Sequence, residues 1–100
     1  MKNEGVDMPK LLTDVEIEDR LAELDGWKQE HSFISRTFEF KNFKKGMKFV
    51  NKVAEIAEEH NHHPDIRIVY NQVTLSIQTH SEGGLTKWDF DLAKSIDKIT

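Results

Sequence analysis

The stretch between Asn42 and Pro64 constrains the fold more than any other part of the sequence. Asn42 is a favourable N-cap residue, and Pro64 ends the stretch because proline cannot continue a helix and disfavours helical geometry at His63. One broad arc of the helical wheel holds the apolar side chains, which are Phe43, Met47, Phe49, Val50, Val53, Ala54, Ile56 and Ala57. The stretch therefore predicts a long amphipathic helix that packs against an apolar layer.

Segments with a period of two lie on both sides of this helix. Before it, residues 27–30 and 33–40 predict two strands around a polar turn. After it, residues 66–70 and 73–77 predict two more, joined by a tight turn at Asn71 and Gln72. Hairpins of this kind imply antiparallel pairing, so the apolar layer is predicted to be a four-stranded antiparallel sheet.

Two further helices are predicted by their capping boxes. Thr13 with Glu16 opens a helix that stops at Gly26, and Thr86 with Asp89 opens the last helix. The inner face of that last helix is predicted from the spacing of its large apolar residues, which are Trp88, Leu92, Ile96 and Ile99. The same wheel places Phe90 on the outer side.

The resulting order, αββαββα, predicts an α+β domain with the helices packed on one face of the sheet. Residues 1–11 are mixed and aperiodic and are predicted to be a mobile N-terminal lead-in. Residues 12–100 are predicted to form a single domain, which is the number that a chain of 100 residues allows.

Composition excludes several classes of function. The chain has no cysteine, which excludes disulfides and thiolate chemistry, and no apolar run approaches the roughly 20 residues of a membrane span. With 14 basic and 18 acidic residues the net charge is −4, which argues against direct nucleic-acid binding because phosphate contacts need positive charge. These features predict a cytoplasmic protein that contacts neither a membrane nor nucleic acid.

Histidines are the candidates for chemistry, because imidazole transfers protons near neutral pH and also binds metals. His62 and His63 lie where the long helix breaks, and His80 follows the last strand. His60 lies in the apolar arc and is predicted to be a core or capping residue, so its replacement by alanine is predicted to lower stability more than activity. Two chemistries stay open for the cluster at this stage, general acid–base catalysis and a zinc or iron site. The metal ligands would come from Glu58, His60, His62, His63 and His80, although this spacing lacks the i, i+4 pair of helical zinc motifs.

A series of short motifs resembles one known family. In order, they are Glu58-x-x-x-His62-His63-Pro64, Val69-Tyr70-Asn71-x-Val73, Thr79-His80 and Gly84-Leu85-Thr86-x-x-Asp89. The series resembles the pterin-4a-carbinolamine dehydratases, also known as dimerisation cofactors of a homeodomain transcription factor, over about residues 11–99. One departure is Ile66, where many members have an aromatic residue after the proline.

The resemblance implies a reaction and a site. Members dehydrate 4a-hydroxytetrahydrobiopterin to the quinonoid dihydropterin, without metal or cofactor. The catalytic residues implied are His62 and His80 for proton transfer and His63 for positioning the pterin. The remaining implied residues are Asn61, Gln78, Thr79 and Ser81, which line the pocket. Glu58 and Asp89 are candidate supporting residues from their positions alone. Glu58 lies one turn before the histidines, where it either accepts an imidazole N–H or is a solvated surface carboxylate, and Asp89 is already explained by its capping box.

The resemblance also implies partners. Members form homodimers that join sheets edge to edge, and some pair into homotetramers through helices, for which Phe90 is the candidate contact. A protein-interaction module acting as a transcriptional cofactor and a small metalloprotein are the alternatives to the enzyme.

Overall fold

The structure is a computed structural model that describes residues 9–100. Its elements, in chain order, are α1 (Asp14–Leu21), β1 (Lys28–Glu30), β2 (Phe33–Glu39), α2 (Phe43–His60), β3 (Asp65–Val69), β4 (Gln72–Ile77), a 3₁₀ turn (His80–Glu82) and α3 (Lys87–Asp97). The predicted α+β class and the order αββαββα are confirmed. Most of the predicted lead-in, residues 1–8, lies outside the described residues.

The four strands form one antiparallel sheet in the order β1-β2-β4-β3. The turn between β3 and β4 falls one residue earlier than predicted, at Tyr70 and Asn71, and Tyr70 takes the left-handed conformation with φ 51°. Asn71 is held beside the end of β2, because its carbonyl accepts from the N–H of Phe40 and its amide donates to the carbonyl of Phe40, both at 2.8 Å. Within this turn, Tyr70 and not Asn71 takes the left-handed conformation.

The hydrophobic core lies between the helices and the two central strands. Residues of β2 and β4 that face the helices are buried, namely Ile34, Phe38, Val73, Leu75 and Ile77. The outer strand β3 extends beyond this cover, and all five of its residues are exposed. One edge of β3 is unpaired within the described chain.

Both predicted capping boxes are present. In α1 the Thr13 side chain accepts from the N–H of Glu16, and the Glu16 carboxylate accepts from the N–H of Thr13. The bond from that backbone N–H holds the pKa of Glu16 below its usual value. In α3 the same reciprocal pair joins Thr86 and Asp89.

The predicted inner face of α3 is wrong for two residues. Phe90 is 3% exposed and belongs to the core, whereas Trp88 is 41% exposed. The wheel was centred on large apolar residues only, but Ala93 and the carboxylate of Asp89 are also buried. They move the centre of the buried arc toward Phe90 and away from Trp88, so Phe90 is not a surface contact for a tetramer.

The prediction that His60 is a core or capping residue is also wrong, because its side chain is exposed and the C-cap of α2 is Asn61. His60 is the last residue of α2, and the helix is exposed at every residue from Glu58 onward. Its ring nitrogen Nε2 lies 3.0 Å from the hydroxyl of Ser95 on α3, in an exposed hydrogen bond.

Replacing His60 with alanine is consequently expected to change the free energy of unfolding by no more than about 0.5 kcal/mol, as is usual for surface substitutions. The sequence instead predicts a loss of stability for this variant. Urea denaturation of the wild type and His60→Ala, followed by circular dichroism, measures the difference. A loss of about 2 kcal/mol or more, typical of a buried side chain, would contradict the exposed position.

Among the described residues, no helix is both long and apolar enough to cross a membrane.

Candidate active site

A cavity of about 270 Å³ opens where the end of α2, the loop after β4 and the start of α3 meet. Its lining residues are Asn61, His62, His63, Gln78, Thr79, His80, Ser81 and Trp88. The first seven are the residues that the family resemblance implies for the pocket, and the fold brings all of them together. Pockets that enclose small molecules begin at roughly 300 Å³, so an open cavity of this size suits a compact ligand.

The end of α2 places His62 and His63. Asn61 takes the left-handed conformation, with φ 51° and ψ 41°, and caps the helix by donating its N–H to the carbonyls of Ala57 and Glu58. The N–H of His62 also bonds to the carbonyl of Ala57, at 3.1 Å. This cap turns the chain out of the helix direction, as left-handed C-caps do, and thereby releases both imidazoles from the helix surface.

His62 is held by a buried carboxylate. Its Nε2 lies 2.6 Å from Oδ1 of Asp89, and the two side chains are 12% and 0% exposed. A carboxylate accepts and cannot donate, so His62 donates from Nε2. In neutral imidazole this tautomer leaves Nδ1 as the basic nitrogen.

The second oxygen of Asp89 is fixed from two directions. Its Oδ2 accepts from the Thr79 hydroxyl at 2.9 Å and from the N–H of Thr86 at 2.8 Å. The hydroxyl of Thr86 lies 2.7 Å from that of Thr79. Because the Thr79 proton points to Asp89, Thr86 is the donor in this last bond. Asp89 therefore cannot rotate without breaking bonds to both the loop after β4 and the cap of α3.

His63 pairs with the carboxylate predicted to support the site. Its Nε2 lies 2.5 Å from Oε2 of Glu58, one turn earlier on α2. Both side chains are exposed, so solvent screens the pair and its contribution to stability is small. Glu58 contacts the ring of His63 and makes no such contact with His62.

His80 reaches the cavity from the loop after β4. This loop is closed by a backbone bridge in which the N–H of Thr79 bonds to the carbonyl of Gly84 at 2.9 Å. Gly83 ends the 3₁₀ turn in the left-handed conformation, φ 72°, which glycine adopts without strain. His80 is exposed, and within residues 9–100 its ring makes no hydrogen bond.

Trp88 also lines the cavity, although the apolar spacing of α3 predicts it in the core. It occupies the second position of α3, directly before Asp89, and its ring lies 6.0 Å from that of His62 at an interplanar angle of 62°. The sequence did contain a signal that Trp88 lies near the site. The residue before a capping-box carboxylate lies in the first turn of its helix, at the end nearest the preceding loop.

Trp27, the other tryptophan of the chain, is buried in the core and is not among the lining residues. Within the part of the chain that the structure describes, no three His, Asp or Glu side chains are grouped so that they could hold a metal ion.

Comparisons with known proteins identify the family. A family profile described as Pterin 4 alpha carbinolamine dehydratase matches residues 10–99. A protein of Sulfolobus acidocaldarius, provisionally named pterin-4-alpha-carbinolamine dehydratase, is 50% identical over 88 residues, which are 88% of this chain and 97% of that protein. A protein of Acidobacterium capsulatum with the same provisional name is 53% identical over 88 residues, 88% of this chain and 96% of its own.

A solved structure agrees with these relatives. The crystal structure of a transcriptional coactivator/pterin dehydratase from Brucella melitensis superimposes with a TM-score of 0.86 and 36% identity, over 90% of this chain and 98% of that one. The chain therefore belongs to the pterin 4 alpha carbinolamine dehydratase family, a family of hydro-lyases.

Proposed function

We propose that this protein dehydrates 4a-hydroxytetrahydrobiopterin to quinonoid dihydrobiopterin and water by histidine acid–base catalysis, as a step in tetrahydrobiopterin recycling. Membership of the family supports the reaction class. The observation that supports the mechanism most is the arrangement of His62 and His80, which come from separate parts of the chain and line the same cavity.

The reaction requires two proton transfers. The hydroxyl on C4a leaves as water once it is protonated, and the proton on N5 is removed as the bond between C4a and N5 becomes double. One imidazole that donates and one that accepts suffice, and each such group contributes about 10²–10⁴-fold to the rate. Neither a redox change nor a covalent intermediate is needed.

His62 and His80 are suited to these two roles in different ways. His62 is oriented by the buried Asp89, so its ring is fixed before substrate arrives. His80 is exposed on a closed loop and can approach the substrate from the rim. Either imidazole can be the donor and the other the acceptor. His63, on the open side with Glu58, is assigned to positioning the pterin ring.

The proposal is tested by stopped-flow ultraviolet spectroscopy of carbinolamine breakdown, with and without the protein. The carbinolamine is generated in the mixing step by a tetrahydropterin-dependent hydroxylase, because it decays in water. Acceleration in proportion to the concentration of this protein is the expected result. Spontaneous and protein-containing rates that coincide would rule out the dehydratase function.

A homodimer is proposed as the assembled state. The outer strand β3 presents an unpaired edge, and an exposed edge with apolar side chains is a template for pairing with another chain. Ile66 and Ile68 lie opposite the buried Leu75 and Val73 of β4 but are 38% and 36% exposed. A second copy related by a two-fold axis would pair the edge and cover both isoleucines.

Replacing Ile68 with lysine is expected to shift the protein from dimer to monomer, because a charge would be placed on the apolar side of the edge. Sedimentation equilibrium at micromolar concentration measures the mass. The matched control is Val15→Lys, which changes an exposed apolar residue on α1, far from the sheet edge in sequence, and is expected to stay dimeric. A monomeric wild type would refute the dimer, and a dimeric Ile68→Lys would remove β3 from the interface.

A cytoplasmic location, expected from the sequence, stays a prediction.

A further inference from the structure

Trp88 is unusual among the residues of the cavity. The other lining side chains are histidines, amides and hydroxyls, whereas Trp88 presents a large apolar ring. It lines the cavity and is 41% exposed overall, and a single exposed aromatic residue is by itself ordinary on a protein surface. The questions are whether its position is fixed and what ligand surface would fit it.

The backbone of Trp88 is anchored in the first turn of α3. Its N–H donates to the hydroxyl of Thr86 at 3.2 Å, and its neighbour Asp89 is completely buried. The indole then packs edge to face with the ring of His62, at 6.0 Å between ring centres. Because His62 is itself fixed by Asp89, the indole has a defined place beside the acid–base pair.

The cavity thus combines one aromatic surface with several hydrogen-bonding groups. Small-molecule sites commonly have this composition, in which an apolar surface holds the body of the ligand and a few polar groups fix its orientation. Asn61 and Gln78 offer amide donors and acceptors to the edge of such a ligand. A flat heteroaromatic ring with polar edges is the ligand class that matches both features.

We propose that Trp88 is a substrate-binding residue whose indole stacks on the pterin ring and holds it against His62. This inference rests on the proposed function for the identity of the ring. Stacking of a heterocyclic base on an aromatic side chain is worth about 1–3 kcal/mol by alanine substitution, which corresponds to roughly 5- to 150-fold in affinity. Loss of the indole therefore weakens pterin binding more than it slows the bound substrate.

Two tryptophans make a direct binding test feasible. The indole N–H of Trp27 donates to Asp97 at 2.8 Å. Asp97 lies nine residues after Trp88 along α3, or roughly 13 Å at 1.5 Å per residue, so the indole N–H of Trp27 is held at the other end of that helix. In ¹H–¹⁵N spectra the Trp88 indole signal, identified by its absence in Trp88→Leu, should shift on titration with oxidised pterin. The Trp27 signal should stay in place as the internal reference.

Affinity and kinetics complete the test. Trp88→Leu is expected to raise both the calorimetric Kd for pterin and the KM for the carbinolamine about 10-fold or more, with kcat changed less than about 3-fold. Trp88→Phe should restore most of the affinity, because it keeps an aromatic face. Phe43→Leu is the matched control, since it removes an exposed aromatic residue that does not line the cavity, and it should behave as wild type.

The outcomes separate this inference from the proposed function. An unmoved Trp88 signal under saturating pterin would overturn the stacking role. A lower kcat with unchanged KM in Trp88→Leu would also overturn it, because Trp88 would then act through His62. If the wild type does not accelerate carbinolamine breakdown, the dehydratase function fails, while the pterin titration still decides whether Trp88 binds the ring.

Discussion

His80→Ala is expected to dehydrate the carbinolamine about 100-fold more slowly than the wild type, because one of two proton-transfer groups is lost. The fold should be unaffected. His80 is exposed, so its removal leaves no buried cavity, and the loop is closed by the backbone bridge between Thr79 and Gly84 and not by the imidazole. Stopped-flow rates and thermal melting curves measure the two effects.

The control for His80→Ala is His60→Ala, which also removes an exposed imidazole but lies outside the cavity. It should keep the wild-type rate. Unchanged turnover in His80→Ala, together with a normal melting curve, would exclude His80 from proton transfer. Loss of turnover in both variants would show that the effect does not depend on position in the cavity.

Asp89→Asn is expected to lower both kcat and stability. The carboxylate accepts from His62 on one oxygen and from Thr79 and Thr86 on the other, and an amide can accept on only one side. By analogy with the partners that orient metal-bound histidines, kcat should fall about 10- to 100-fold. A buried group left unsatisfied costs about 1–3 kcal/mol of unfolding free energy. Stopped-flow kinetics and urea denaturation test the two expectations.

Asp91→Asn is the matched control, because Asp91 lies on the same helix and does not line the cavity. It should keep the wild-type rate and a nearly unchanged free energy of unfolding. If Asp89→Asn loses stability but retains full kcat, Asp89 is a helix cap only, and the bond to His62 has no part in catalysis.

The elements of the fold are predictable from local patterns in this sequence. The apolar arc of α2 and the alternation in β4 repeat over enough residues to be unambiguous. The capping boxes at Thr13 and Thr86 are also local, since each bond joins residues three positions apart.

The wrong predictions arise where tertiary contacts decide which side chains are buried and which conformation a turn adopts. The face of α3 depends on what packs against Ala93 and Asp89, and a wheel of large apolar residues alone excludes both. His60 has the right wheel angle for burial, but the last three residues of its helix are all exposed, which the wheel does not show. Tyr70 adopts a left-handed conformation that asparagine takes more readily, while Asn71 bonds to the neighbouring strand.

The candidate site could be predicted from the residues alone only in part. Histidine spacing left acid–base catalysis and metal binding open, and the lining residues came from the resemblance to a family. The bond between His62 and Asp89 spans 27 positions in sequence, so no periodicity indicates it. Asp89 was fully explained by its capping box, and only the three-dimensional fold shows that its other oxygen faces an imidazole.

The two duties of Asp89 restrict how this protein can be altered. A protein engineer who wishes to retune His62 would normally vary the carboxylate behind it, for instance by lengthening it to glutamate. Here that change would also displace the acceptor for the N–H of Thr86, where α3 begins. Fraying of that first helical turn would likewise free the imidazole of His62 while the sheet stayed intact. Heat can therefore abolish turnover at temperatures where most of the secondary structure persists.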